Sequence, residues 1–436
     1  MAVAVENVLP LGQAAPHTRI AGWPETPHTT LGPLGAEMAL SEEEQAIWNV
    51  VHRFAEHEMR PLGRQLDRLR PEQVIAADSP LWPFIARYHE LGFSTDALFN
   101  MPPLQRARIQ CLVNEELCWG DVGLAFTVGA ATFPRFMARS FGNDYLAERW
   151  PETTIGCWGI TEPDHGSDNL DPEGEARHAR GEYGRPNCIA TLKTDRIVVN
   201  GQKSAWVSNG TIAQLCVLFC ACDSGAGPDP QHGCVVIVPL DAHGVSKGKP
   251  LDKMGQRALN QGEIFFDNVE VPRENLLAGP EFYQRAVYTI HQEANGLMAV
   301  GLTGVGRAAY ELAFEYAHQR RQGGMPLIKH QHVAYRLFQM YRKLEASRAL
   351  ARRVVEYNAT AALPSLSAAM AAKVHCTQAA YEIAHEALQM FGGNGMTCEY
   401  PLEKLLRDTR AGLIEDGCNE LLSIKGGFGL ARPDLL

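Results

Sequence analysis

A chain of 436 residues, 45% of them hydrophobic and 21% charged, is long enough to fold as two or three packed layers around a large core without disulfide or metal staples. Its formal net charge of −10 argues against a general nucleic-acid binder, which needs a basic patch to displace counterions from phosphates. The eleven cysteines show no paired C-x-x-C spacing, so reduced, mostly buried thiols are expected and a metal site is not. No apolar run approaches the ~18 to 20 residues of a membrane helix, and the start carries no basic segment followed by an apolar one. These features set the expectation of a cytoplasmic protein with no membrane partner.

Residues 1–40, with Pro10, Pro16, Pro24, Pro27 and Pro33, read as an arm. Ser41 followed by Glu44 is a capping box opening a helix, and apolar residues recur at threes and fours through Leu81–Leu91, Ile109–Cys118 and Phe133–Phe141. That defines an N-terminal helical domain over 41–155. From Gly156 to Asn275 the composition turns to valine, isoleucine, threonine and glycine, giving a middle β domain over 156–275. Within it Arg196–Lys203 reads as strand, turn, strand about its glycine, while Gly233–Pro239 and Glu263–Asp267 read as further strands. Cys216, Cys220 and Cys222 fit small core residues of a strand, and Asp223–Gln231 fits a loop. The C-terminal helical domain, 276–436, carries long helices over Tyr283–Arg320, Gln331–Thr360 and Ser365–Phe391. Gly296, Gly301, Gly304 and Gly306 in the first imply tight helix–helix approach, since each otherwise weakens a helix by roughly 1 kcal/mol against alanine. The fold class is α+β.

Five segments stand out. Trp158-Gly159-Ile160-Thr161-Glu162-Pro163-Asp164-His165-Gly166-Ser167-Asp168 opens the β domain, and Gly201-Gln202-Lys203-Ser204-Ala205-Trp206-Val207-Ser208-Asn209-Gly210 follows. Lys253–Arg257 leads to Phe266–Pro272, His318-Gln319-Arg320-Arg321-Gln322-Gly323-Gly324 follows the first long helix, and Gln389–Gly395 runs on to Leu413-Ile414-Glu415-Asp416-Gly417-Cys418-Asn419-Glu420. Singly, each has a plain structural reading: a turn, a buried strand tryptophan, a solvated basic turn. In this order they closely resemble the acyl-CoA dehydrogenase flavoprotein superfamily.

The resemblance implies an N-terminal helical domain, a β-barrel-like middle domain and a C-terminal four-helix bundle holding FAD. It places Trp158, Ile160, Thr161, Trp206 and Ser208 against the flavin, where fixed donors stabilise charge that builds on reduction. Gly417 would touch substrate, and Ser167 substrate or the cofactor's pyrophosphate. Arg320 and Gln322, with Gln389, Gly392 and Gly393, would hold the pyrophosphate of a neighbouring subunit's cofactor, a guanidinium fork and close-approaching backbone amides suiting phosphate. Cys418 and Glu420 complete the cofactor set, and Lys253–Arg257 is expected to be structural. The implied partners are an acyl-CoA substrate, an electron-transferring flavoprotein and further copies of the chain, as a homotetramer or dimer. Asp171–Pro186 reads as an extra loop over the substrate entrance.

The family's base is usually a glutamate where this chain has Asp416. The missing methylene sets the carboxylate back by up to ~1.5 Å, about one C–C bond, so either the substrate sits deeper or the proton removed lies elsewhere; the resemblance to relatives with an aspartate base implies a cyclic, branched or aryl-substituted acyl group rather than a straight chain. Relatives with an aspartate base include dehydrogenases of cyclic thioesters and nitroalkane oxidase, which keeps a flavin oxidase or monooxygenase as the alternative. A Thr-Arg pair common in the family is replaced by Ala294-Asn295. Asp416 is preferred over Glu415 and Glu293 as base, because a helical neighbour points about 100 degrees away.

Overall fold

The computed structural model describes residues 39–170, 185–225 and 227–431. The expected arm, except for its last two residues, and nearly all of the Asp171–Pro186 insertion lie outside them.

Ser41 caps the Glu42–Phe54 helix as its spacing predicts, with Glu44 N donating to Ser41 Oγ at 3.2 Å and Ser41 N to Glu44 Oε2 at 2.8 Å. The Leu81–Glu90, Pro103–Ala131 and Phe133–Ser140 helices follow. The second of these breaks at Asp121 (φ −161°, ψ 118°). Asp121 Oδ1 accepts Leu124 N at 2.9 Å and so caps the restarted helix, while Lys404 Nζ donates to Oδ2 at 2.6 Å. Phe54, Met59, Phe84, Ile109 and Leu124 share one buried core with Met298, Leu302 and Val305 from the far end of the sequence.

The middle of the chain forms strands β1 (Gly156–Gly159), β2 (Cys188–Leu192), β3 (Arg196–Lys203), β4 (Leu215–Asp223), β5 (Pro228–Pro239), β6 (Val245–Lys247), β7 (Ile264–Pro272) and β8 (Leu276–Ala278). Their order is β6-β7-β3-β2-β4-β5-β8, and β1 shares with β2 one edge of β4, pairing with Leu215–Leu218 while β2 pairs with Ala221–Asp223. Strand β4 is buried on both faces, which its period of two divides between two cores. Cys216, Leu218, Cys220 and Cys222 join Cys157, Cys188 and Cys234 in one; Leu215, Val217 and Phe219 meet Met137, Tyr283 and Ile290 in the other.

Two expectations need correction. Arg196–Lys203 is a single strand, not two around a turn: Gly201 (φ +112°) sits where the β3–β7 register shifts, and a Cβ there would lie 1.8 Å from Asn187 O. Glycine serves a bulge and a close backbone approach. Asp223–Gln231 is the turn and first residues of a β4–β5 hairpin, tightened by Asp223 Oδ1, which accepts from Gly225 N and Gly227 N.

The long C-terminal helices span Tyr283–Gln319, Gln331–Thr360 and Leu366–Phe391, followed by the shorter Leu402–Ala411 and Asn419–Ala431. Gly304 lets the first pack against Pro103–Ala131 so closely that a Cβ would stand 2.2 Å from Glu115 O. At that contact Glu115 and Glu116 are buried among Arg307, Arg348 and Arg352, with Arg307 Nη1 2.8 Å from Glu115 Oε1 and 2.6 Å from Glu116 Oε1, and Arg352 Nη2 2.7 Å from Glu115 Oε2. Among the described residues no helix is long and apolar enough to cross a membrane.

Candidate active site

A cavity of about 690 Å³ opens where the β domain meets the helices before and after it. Trp158, Ile160, Thr161, Ser167, Trp206 and Ser208 line it from the β side, and Asp416 and Gly417 from the C-terminal side. Two motifs 251 positions apart touch directly, Cys418 N donating to Ser167 Oγ at 3.3 Å. Trp206 is not the buried strand tryptophan that its position alone suggests. It is 61% exposed, as is Met254, with Ile414 at 57%, and all three line the same cavity.

The turn carrying Asp416 lies between the Leu402–Ala411 and Asn419–Ala431 helices, and Asp416 itself takes φ +53°. Buried donors hold it: Asn295 Nδ2 lies 3.3 Å from Asp416 O, and Lys373 Nζ lies 2.7 Å from Gly417 O and 2.9 Å from Asn419 Oδ1. Burial raises the Asp416 carboxyl above its usual range, opposed by the Lys373 charge. Its carboxylate accepts no hydrogen bond among the described residues, and it lines the cavity.

Because this segment is a turn and not a helix, the expected 100-degree divergence does not hold. Glu415 lines the same cavity as Asp416, and burial followed by the Asp416 charge pushes it up to about 7. Glu293 is a third lining carboxyl, raised by burial and accepting from Gln110 Nε2 at 3.1 Å.

The segment expected to be structural also reaches the cavity, through Lys253, Met254, Gly255 and Gln256. Lys253, lowered to about 8 by burial, donates to Leu259 O at 2.7 Å and Gln261 Oε1 at 2.9 Å. Gln261 Nε2 in turn lies 3.3 Å from both Trp206 O and Ser208 Oγ. Gln256 Nε2 donates to Glu415 Oε1 at 2.6 Å. His291 also lines the cavity, edge-on to Trp158 with centroids 5.6 Å apart, and is pushed down to about 3 by burial and the Lys425 charge, hence neutral. Gln256 falls inside the Lys253–Arg257 segment that the sequence marks as structural, and Gln261 lies outside every such segment, its spacing from Lys253 being the only signal.

The remaining site residues lie off the cavity lining. Arg320 is exposed just past the Tyr283–Gln319 helix, its N–H donating to Tyr316 O at 2.8 Å, and Gln322 pairs with Met325 in a two-residue ribbon. Gln389, Gly392 (φ +58°) and Gly393 are exposed where the Leu366–Phe391 helix ends. The two groups share one end of the bundle: Tyr316 stacks on Phe391 at 3.9 Å and accepts from Asn394 Nδ2 at 2.9 Å. Cys418 is half-buried beside Ser167, and Glu420 is exposed in the first turn of the last helix.

Residues 157–269 match the acyl-CoA dehydrogenase middle domain and residues 285–424 its C-terminal domain. The short-chain specific acyl-CoA dehydrogenase of Rattus norvegicus mitochondria is 29% identical over 394 residues, 88% of each chain. The short-chain specific enzyme of Clostridium acetobutylicum is 26% identical over 389 residues, 88% of this chain and 96% of that one. Butyryl-CoA dehydrogenase from Megasphaera elsdenii superposes with a TM-score of 0.78 at 26% identity, covering 91% of this chain and 100% of the other. The chain belongs to the acyl-CoA dehydrogenase superfamily.

Proposed function

We propose that the protein is an FAD-dependent acyl-CoA dehydrogenase in which Asp416 removes the α-proton of a cyclic, branched or aryl-substituted acyl thioester. The observation that carries this reading is Asp416 itself: a carboxylate on a pinned turn, with no hydrogen-bond donor among the described residues, made more basic by burial, in one cavity with the Trp158–Thr161 and Trp206–Ser208 segments. A base needs both reach and a raised pKa.

The lining residues fit a flavin. Exposed Trp206, Met254 and Ile414 offer apolar surface to a planar ring, and the Thr161 and Ser208 hydroxyls offer polar contacts at the same wall. Bound there, FAD supplies the acceptor for a hydride from Cβ. Gln261 orients Ser208 Oγ, and Lys253 in turn fixes Gln261. Asn295 and Lys373 hold the turn so that Asp416 meets Cα while the acyl group lies between it and the β wall; such positioning matters because a 1 Å misplacement can cost about a hundredfold in rate. Arg320, Gln322, Gln389, Gly392 and Gly393, exposed and off the cavity, act on a second copy's cofactor in a dimer or tetramer. Electrons leave to an electron-transferring flavoprotein.

The test is anaerobic mixing of the purified FAD-loaded protein with straight, branched, cyclic and aryl-substituted acyl-CoAs and with nitroalkanes, following the flavin absorbance. Bleaching is expected with a cyclic, branched or aryl-substituted acyl-CoA. Bleaching by nitroalkanes alone, or by no substrate, overturns the proposal.

A further inference from the structure

Glu415 is the feature that the reaction above does not use. It precedes the base, lines the same cavity, and has one carboxyl oxygen already held: Gln256 Nε2 donates to Oε1 at 2.6 Å. Its other oxygen has no hydrogen-bond partner among the described residues. The holding amide is itself built in. Gln256 is buried, takes the left-handed φ of +50°, and donates its backbone N–H to Asp408 Oδ1 at 2.5 Å. Asp408 Oδ2 is fixed by Lys404 Nζ at 2.6 Å, and Lys404 by Asp121 Oδ2 at 2.6 Å. Among the described residues Gln256 alone donates to this carboxyl, which takes no part in removing the proton, and its backbone is braced in turn by buried Asp408, Lys404 and Asp121 from two other segments of the chain. A connected polar network of this kind fixes orientation, and a half-satisfied carboxyl facing hydrocarbon would be unfavourable.

Resting on the dehydrogenase reading, we propose that Glu415 is a specificity residue: its carboxylic acid donates a hydrogen bond to an oxygen carried by the acyl group beyond Cβ, so that hydroxy- or oxo-substituted acyl thioesters are selected over their hydrocarbon counterparts. Oε1 accepts from Gln256, which leaves the protonated Oε2 as the donor. The groups facing Glu415 are consistent with a proton held near neutrality. Asp416 on the same turn favours the protonated form. Lys373 from the Leu366–Phe391 helix and Lys253 from the segment before β7 oppose it, and Cys118 from the Pro103–Ala131 helix is a neutral thiol.

Binding is measured in the FAD-loaded Asp416→Asn protein, where turnover is blocked, by calorimetry with matched pairs: pentanoyl-CoA against 4-oxopentanoyl-CoA, and cyclohexanecarboxyl-CoA against its 4-hydroxy derivative. At pH 5, where Glu415 keeps its proton without the Asp416 charge beside it, the oxygenated member is expected to bind about tenfold more tightly, the share of one neutral hydrogen bond. Adding Glu415→Leu abolishes that preference. Adding Glu415→Gln keeps it, because an amide accepts from Gln256 and still donates. With Glu415 present the preference fades as pH rises and the carboxyl ionises, at a lower pH than in wild type because Asp416→Asn removes the neighbouring charge that helps hold its proton, and with Gln it does not. Equal binding of each pair, or a preference that survives in Glu415→Leu, overturns the proposal and leaves the dehydrogenase reading standing. Failure of the Asp416→Asn protein to bind any of these thioesters, with wild-type flavin unbleached by all of them, overturns both.

Discussion

Asp416 carries one methylene fewer than the glutamate usual in its family, so it has to act from a backbone placed for it. The φ of +53° and the donors Asn295 and Lys373 supply that placement, in a region of backbone space that few non-glycine residues occupy without compensation. Asp416→Asn is expected to slow flavin reduction by about 10² to 10⁴-fold with FAD binding intact, as stopped-flow absorbance will measure. Glu415 yields a stability prediction. Its carboxyl sits at about 7 in the fold against 4.5 ordinarily, so its protonated form is favoured by folding, and that stabilisation is full below 4.5 and lost as pH rises through about 7. The difference in unfolding free energy between wild type and Glu415→Gln should fall across that window in denaturant titrations; a flat difference would contradict the placement. At this scale the motif residues Trp158, Thr161, Trp206 and Asp416, far apart in sequence, line one cavity. Helical geometry turns Glu415 away from Asp416 only if the helix continues, and it ends at Ala411. Gln256 lies in a segment that the sequence marks as structural, and its contact with Glu415, 159 positions away, is set only by tertiary packing.

At the scale of elements, glycines decide where backbone segments can meet. The Tyr283–Gln319 helix can approach Pro103–Ala131 only because Gly304 presents no side chain to the Glu115 carbonyl. Gly304→Ala should destabilise the fold by about 1–3 kcal/mol, the range for overpacking, despite alanine's better helix propensity; a rise in thermal midpoint would refute the contact. The run of glycines in that helix announced close packing in advance. Gly201 did not announce its bulge, since a lone glycine in a strand looks the same whether it turns the chain or admits a neighbouring backbone, and Asn187 O, which decides the matter, belongs to the bend just before β2. Long helices were legible within a residue or two because their apolar spacing persists over many turns. Asp121, by contrast, interrupts a helix whose apolar spacing continues on both sides of the break.

For the whole molecule, the N-terminal and C-terminal helices are joined by the buried charges Glu115, Glu116, Arg307, Arg348 and Arg352 as well as by apolar packing. Burial alone would raise the Glu115 carboxyl, but Arg348, Arg352 and Arg307 outweigh it and hold it at about 2. The stabilisation is therefore present above the ordinary value of 4.5 and lost as pH falls toward 2. Glu115→Gln leaves three guanidinium groups short of a charge and should cost about 3–5 kcal/mol at neutral pH, as expected when one partner of a buried ion pair is removed; it should also flatten the acid limb of the stability curve. No sequence pattern marked this junction, because the acidic pair and the arginines stand about 190 to 240 positions apart. The three-region α+β order was legible from composition alone, since the change from helical spacing to valine- and isoleucine-rich runs occurs within a few residues of each boundary.

The most direct test of Asp416 as the base is a single-turnover comparison of wild type, Asp416→Asn and Glu415→Gln, each FAD-loaded and mixed anaerobically with a branched or cyclic acyl-CoA. Wild type and Glu415→Gln are predicted to bleach, and Asp416→Asn to bind the thioester yet remain yellow. Bleaching by Asp416→Asn at the wild-type rate, or its retention alongside loss in Glu415→Gln, would contradict the account.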